Sequence, residues 1–129
     1  MKEGQFWIYM LLCENGSYYT GYAVNLVRRY WQHVNGRGNA RYTGSFRPVA
    51  LACCWRLRDT KGTALRLEHL VRSRSHADKE YLAANPSLLV DLARDYLGRG
   101  IPLESFDPSL IEEAVARCER EPRVEPFPF

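Results

Sequence analysis

The sequence predicts a small α+β domain: a three-stranded, mostly antiparallel sheet flanked by helices, followed by a helical C-terminal extension. Three observations carry this. A hairpin signal occupies the first 23 residues, the apolar period then changes from two to 3.6, and a third strand and a second helix follow before a run of helical segments. With 129 residues, 46% hydrophobic and 26% charged, the chain can bury a real core, which excludes a disordered chain, a collagenous repeat and a disulfide-dense miniprotein.

Residues 6–13 are aromatic and aliphatic throughout, and Glu14-Asn15-Gly16-Ser17 closes them before Tyr18-Tyr19-Thr20-Gly21-Tyr22. This reads as a hairpin, with Asn15-Gly16 supplying the positive-φ positions of a type I′ turn and Gly21 ending the second strand. Asn25 is a good N-cap, after which Leu26, Val27, Tyr30, Trp31 and Val34 form an apolar stripe and Gly36 is a natural stop. Residues 36–45 read as a polar loop. From Val49 to Leu57 the chain is apolar enough for a strand buried on both faces near its middle.

Asp59 and Thr60 offer caps for a helix to about Ser73, with Ala64, Leu67, Leu70 and Val71 inward. A shorter helix covers residues 77–84. Asn85 caps and Pro86 opens another, stopped by Gly98, and Asp107 caps a last one over residues 108–119. The end of the chain, with three prolines after Arg120, should be extended unless its phenylalanines dock.

Charge divides the chain. Residues 1–80 hold 13 Lys or Arg against 6 Asp or Glu, a net of +7, whereas residues 81–129 hold 5 against 9, a net of −4. A basic unit over 1–80 suits a polyanion, and an acidic helical extension over 81–129 does not extend that surface; its helices suit covering the sheet, a protein contact or self-association. The apolar runs are of strand length, so no membrane span or membrane partner is expected, and the first residues lack the pattern of a signal peptide. Cys13, Cys53, Cys54 and Cys118 show no zinc-ligand spacing and read as free thiols. A cytoplasmic protein is the expectation.

Some positions carry chemistry. Arg29 and His33 lie four apart on the first helix and project from one face. A guanidinium beside an imidazole suits a phosphodiester, because Arg can hold two phosphate oxygens and stabilise developing charge; a solvated helix surface is the alternative. Glu68 falls within the inward stripe of its helix, so its carboxylate must meet a cation. That cation is a bound metal, Mg²⁺ or Mn²⁺ for a hydrolytic site, or Arg66, Arg72 or a strand arginine in a structural ion pair.

Trp7-Ile8-Tyr9 and, ten residues after that tyrosine, Tyr19-Thr20-Gly21 resemble the two signature tripeptides of the GIY-YIG endonuclease family. The continuation has the same spacing: Arg29 eight residues past Gly21, His33 twelve past it, and Glu68 in the helix after the third strand. The match covers roughly residues 5–79. It is similar to the small stand-alone bacterial members, which share the loop pattern seen here as Gly38-Asn39-Ala40-Arg41-Tyr42-Thr43 followed by Arg47-Pro48-Val49.

The resemblance implies a divalent-metal-dependent DNA endonuclease. It implies Tyr9 as general base or water-positioning group, supported by Tyr19 and His33, with Arg29 on the scissile phosphate and Glu68 on a single Mg²⁺ or Mn²⁺. Arg28, Arg37, Arg41, Tyr42 and Arg47 would form the DNA-facing surface, making mostly phosphate contacts and hence conferring low sequence specificity or recognition of DNA structure. Trp7 stands where the family has its first glycine and Thr20 where it has isoleucine; neither change removes a reactive group. A non-catalytic nucleic-acid-binding module of the same fold, and a protein-interaction domain, are the alternatives.

Overall fold

The computed structural model describes residues 2–35 and 46–120, with side chains described through Cys118. Strand β1 (Glu3–Cys13) is central, flanked by β2 (Tyr18–Ala23) on one side and β3 (Pro48–Thr60) on the other. Helix α1 (Leu26–Asn35) follows β2, and α2 (Lys61–Arg72) follows β3 directly. Then come α3 (His76–Ala84), α4 (Leu88–Leu97), a short strand β4 (Leu103–Phe106) and α5 (Pro108–Arg120). The α+β antiparallel architecture is as expected, but the described sheet has four strands in the order β2-β1-β3-β4. The added strand pairs Leu103 to Phe106 with Leu57 to Cys54, so the segment after residue 81 extends the sheet as well as supplying helices.

The turn between β1 and β2 differs from expectation. Gly16 has φ +82° and no described non-glycine residue, Asn15 included, has positive φ, so Asn15 cannot occupy a type I′ turn. Gly16 N–H donates to Cys13 O at 2.9 Å and Cys13 N–H to Ser17 O at 2.9 Å, the pattern of a three-residue loop whose last residue is left-handed. Gly21 does not end β2, which continues to Ala23.

Caps set the helices. Asn25 Oδ1 accepts from Arg28 N–H at 3.0 Å, Thr60 Oγ1 from Thr63 N–H at 3.2 Å, and Ser75 Oγ from Asp78 N–H at 3.1 Å. Asn85 closes α3 instead of opening α4, its N–H reaching Tyr81 O at 3.0 Å. Gly98, at φ +72°, ends α4.

Two apolar layers cover the sheet. On one face α2, α3 and α4 bury Ile8, Met10, Cys53, Trp55 and Leu57 against Ala64, Leu67, Leu82 and Leu89. On the other, α1 and α5 cover Trp7, Tyr9, Leu11 and Cys54 with Leu26, Val27, Tyr30, Ile111 and Val115. The stripe of α1 is shifted from the expected one: Leu26, Val27, Tyr30 and His33 point inward, while Trp31 and Val34 are 37% and 41% exposed. The imidazole takes the inner place because a tyrosine awaits it there. The cysteines are free, three of them buried, and no described helix is long and apolar enough to cross a membrane.

Candidate active site

Strand register brings the two signature tyrosines together. Tyr9 pairs with Gly21 and Leu11 with Tyr19, so Tyr9 and Tyr19 are diagonal neighbours on one face, with ring centroids 6.3 Å apart. A Cβ on Gly21 would lie 2.6 Å from Tyr9 Oη, 2.7 Å from its Cζ and 3.1 Å from Tyr19 Cε1. Gly21 is therefore the gap that lets the Tyr9 ring lie across β2.

Helix α1 supplies the next two groups. His33 Nε2 is 2.8 Å from Tyr9 Oη, and its ring sits 5.7 Å and 5.0 Å from the Tyr9 and Tyr19 rings. Burial, and then the neighbouring Arg29 charge, push the His33 pKa down to about 4, so the imidazole is neutral near pH 7. Burial also pushes the Tyr9 phenol above its usual value, with Tyr19 adding to the rise and Arg29 opposing it. The phenol is thus protonated in the free protein, and with the imidazole hydrogen on Nδ1 it donates to His33 Nε2. Arg29, half-buried, donates from Nη1 to Gln32 Oε1 at 3.0 Å.

Glu68 comes from α2 on the opposite face, and the two sides meet at β2, the outer strand. A cleft of about 570 Å³ opens there, lined by Tyr9, Tyr18, Tyr19, Thr20, Gly21, Tyr22 and Arg29, with Leu65, Glu68 and Arg72 from α2. Tyr9, Tyr19, Arg29 and Glu68 therefore share one cavity wall, and His33 stands behind Tyr9. Glu68 is 8% exposed and its Oε1 meets Arg72 Nη1 at 3.2 Å, one of the protein cations that spacing allowed; Arg66 instead lies 5.3 Å over the Tyr96 ring. Thr20 Oγ1 is buried without a hydrogen-bond partner among the described residues.

The proposed DNA-facing residues divide. Arg28 is exposed and lines a second groove with Tyr22, Val24, Asn25, Arg29 and Gln32, which shares Tyr22 and Arg29 with the first. Arg47 is exposed outside the cleft lining, its carbonyl accepting from Glu14 N–H at 2.8 Å beside the hairpin turn. Arg37, Arg41 and Tyr42 lie outside the described residues, as does the proline-rich end. The aromatic and aliphatic lining of Tyr18, Tyr22 and Leu65 was not singled out from sequence. Alternation on β2 and a turn's spacing from Glu68 are the signals that place these residues.

Among the described residues no group of three His, Cys, Asp or Glu side chains can hold a metal. A lone carboxylate in an open cleft suits a hard cation that keeps most of its waters and takes phosphate oxygens, as Mg²⁺ and Mn²⁺ do. The donor set fits that ion and does not fit a closed zinc site.

The substituted signature tryptophan has its own setting. Trp7 is fully buried, edge-on to Phe106 of β4 with centroids 5.1 Å apart, and Arg56 caps both rings at 5.9 Å and 5.3 Å. Glu104 fixes that guanidinium, accepting from Arg56 Nε at 2.7 Å.

Comparison with known proteins gives the family. The family model of the GIY-YIG catalytic domain matches residues 5–81. A UPF0213 protein of Natronomonas pharaonis is 40% identical over 79 residues, covering 61% of this chain and 91% of that protein. A UPF0213 protein of Neisseria meningitidis serogroup C is 39% identical over 82 residues, 64% of this chain and 88% of its own. The solution NMR structure of a UPF0213 protein from Bacillus halodurans is 35% identical, with a TM-score of 0.37 over 62% of this chain and 83% of that one. The matched stretch contains every reactive residue of the cleft, and the chain belongs to the GIY-YIG nuclease-domain family.

Proposed function

We propose that the protein is a divalent-metal-dependent endonuclease that hydrolyses DNA phosphodiester bonds with low sequence specificity or direction by DNA structure. One observation carries the reading: Tyr9, Tyr19, Arg29 and Glu68, from four different elements and both faces of the sheet, line a single cleft with His33 bonded to Tyr9.

The chemistry follows from the groups. Arg29 holds the non-bridging oxygens of the scissile phosphate and stabilises the charge that grows on them. Tyr9 Oη accepts a hydrogen bond from the attacking water while its own proton is held by neutral His33 Nε2, giving the water's proton a route inward. Tyr19 packs against His33 and keeps the pair in register. Glu68 would hold Mg²⁺ or Mn²⁺, an ion whose chemistry there would be to neutralise charge on the phosphate and the leaving oxygen. Arg28 and Arg47 supply phosphate contacts around the cleft, which fix register without reading bases.

The Glu68–Arg72 pair favours a second reading, a binding module whose carboxylate is satisfied by protein alone. Incubating supercoiled plasmid, branched DNA and single-stranded DNA with the full chain, with Mg²⁺ or Mn²⁺ and with chelator, separates the two. Metal-dependent nicking is the expected result. Salt-sensitive binding of all three DNAs without any cleavage would establish the second reading instead.

A further inference from the structure

Resting on the reading of Glu68 as a metal ligand, we propose that Arg72 is a stand-in cation: it neutralises Glu68 in the ligand-free protein, yields the carboxylate to the divalent ion, and turns to a backbone phosphate of the bound strand.

The pair is lopsided. The Glu68 side chain is 10% exposed and that of Arg72 is 59% exposed, so the acid is fixed in the cleft wall while the guanidinium reaches it from the solvent side. A carboxylate so enclosed is costly to leave unpaired, and among the described residues Arg72 is the cation in contact with it, at 3.2 Å. Its hold is weak. Its guanidinium is open to water and salt, which screen the pair, and its other contact among the described residues, Nη2 to His69 Nδ1 at 3.4 Å, is also exposed and lies on the same helix.

Among the described residues the ion pair and hydrogen bond of Arg72 both stay on α2, and as the last residue of that helix it can swing without unwinding it. It lines the same cleft as Arg29, which comes from α1 on the other side of β2. A freed guanidinium there faces the same polyanion, and its fork suits two phosphate oxygens at once. Two arginines lining one cleft, from helices on the two faces of the sheet, would hold a strand across the Tyr9 phenol.

The test is Mn²⁺ binding to the full chain without DNA, read by the electron paramagnetic resonance signal of free Mn²⁺, for wild type, Arg72→Gln, Arg72→Lys and Glu68→Gln. Because Arg72 opposes the incoming charge, Arg72→Gln should bind Mn²⁺ about 3- to 10-fold tighter than wild type. Arg72→Lys should resemble wild type, and Glu68→Gln should lose the site. In Ca²⁺, Arg72→Gln should bind DNA more weakly, with a salt slope smaller by about one. Unchanged or weaker Mn²⁺ binding in Arg72→Gln, with the Glu68-dependent site present in wild type, overturns this proposal alone. Equal Mn²⁺ binding by wild type and Glu68→Gln overturns it together with the metal-site reading.

Discussion

The cleft beside β2 and the segment that follows α3 are stabilised by opposite means. In the cleft, polar groups are drawn inside: His33 is held neutral, Tyr9 is bonded to it, Thr20 Oγ1 is buried without a partner among the described residues, and Glu68 leans on the exposed Arg72. In the later segment, buried apolar side chains do the packing. Leu89 and Ala93 join one core and Phe106, Ile111 and Val115 cover Trp7 and its neighbours in the other, while the segment's polar ties to β3 are complete, Glu104 meeting Arg56 near the surface and Arg99 Nη2 meeting the buried Asp59 carboxylate at 3.1 Å. Burying polar atoms costs stability and confers chemistry, whereas covering a tryptophan confers stability alone. The two regions should therefore fail in different assays.

Gly21→Ala breaks the contrast most sharply. The new Cβ collides with a rigid ring pinned by His33, so cleavage should fall by about 10²-fold or more as the Tyr9 oxygen is displaced, while overpacking lowers stability by about 1–3 kcal/mol. Single-turnover rates beside urea melts check it, and wild-type rates would mean that the position of the phenol does not matter.

Phe106→Ala probes the other region. It uncovers Trp7 and the Arg56 stack, and should cost about 2 kcal/mol and red-shift tryptophan emission while leaving cleavage intact at a temperature where the protein is folded. A selective loss of cleavage would mean that the extension reaches into the site.

The His33 effect is smaller and depends on pH. Its folded pKa of about 4 lies below the ordinary 6.5, so the unfolded chain takes up the proton first as pH falls. Stability should be unaffected above pH 6.5 and decline from there to about pH 4 by at most about 1.4 kcal/mol per unit. Urea unfolding across that range should lose this slope in His33→Gln; an identical slope would mean the imidazole titrates normally. Smallest of all, Arg28→Ala and Arg47→Ala should each weaken DNA binding by less than about tenfold and lower the salt slope by about one, without changing metal affinity. Fluorescence anisotropy at several salt concentrations measures both.

What could be read in advance was what is local. Caps at Asn25, Thr60 and Asp107, the period of α2 that turned Glu68 inward, and the hairpin aromatics all act over a few residues. Strand β4 was missed because its four residues carry little alternation and their partners in β3 lie about fifty positions earlier. The stripe of α1 was misjudged at Trp31 and Val34 because hydropathy ranks them above histidine; only the tyrosine across the sheet explains why His33 is inside. Gly21 looked like a terminator because the ring that needs its missing Cβ comes from another strand. The spacing of the reactive residues was legible, but that Arg72 would share the cleft wall with Glu68 required α2 to be seen against β2.

The central claim is that this cleft cuts a phosphodiester with Glu68 and Tyr9 as working groups. Single-turnover cleavage of a labelled DNA in Mn²⁺, comparing wild type with Glu68→Gln and Tyr9→Phe of verified fold, tests it most directly. Both variants should be slower by about 10²-fold or more. Wild-type rates in Glu68→Gln, or no cleavage of any DNA form by the wild-type chain, would contradict it.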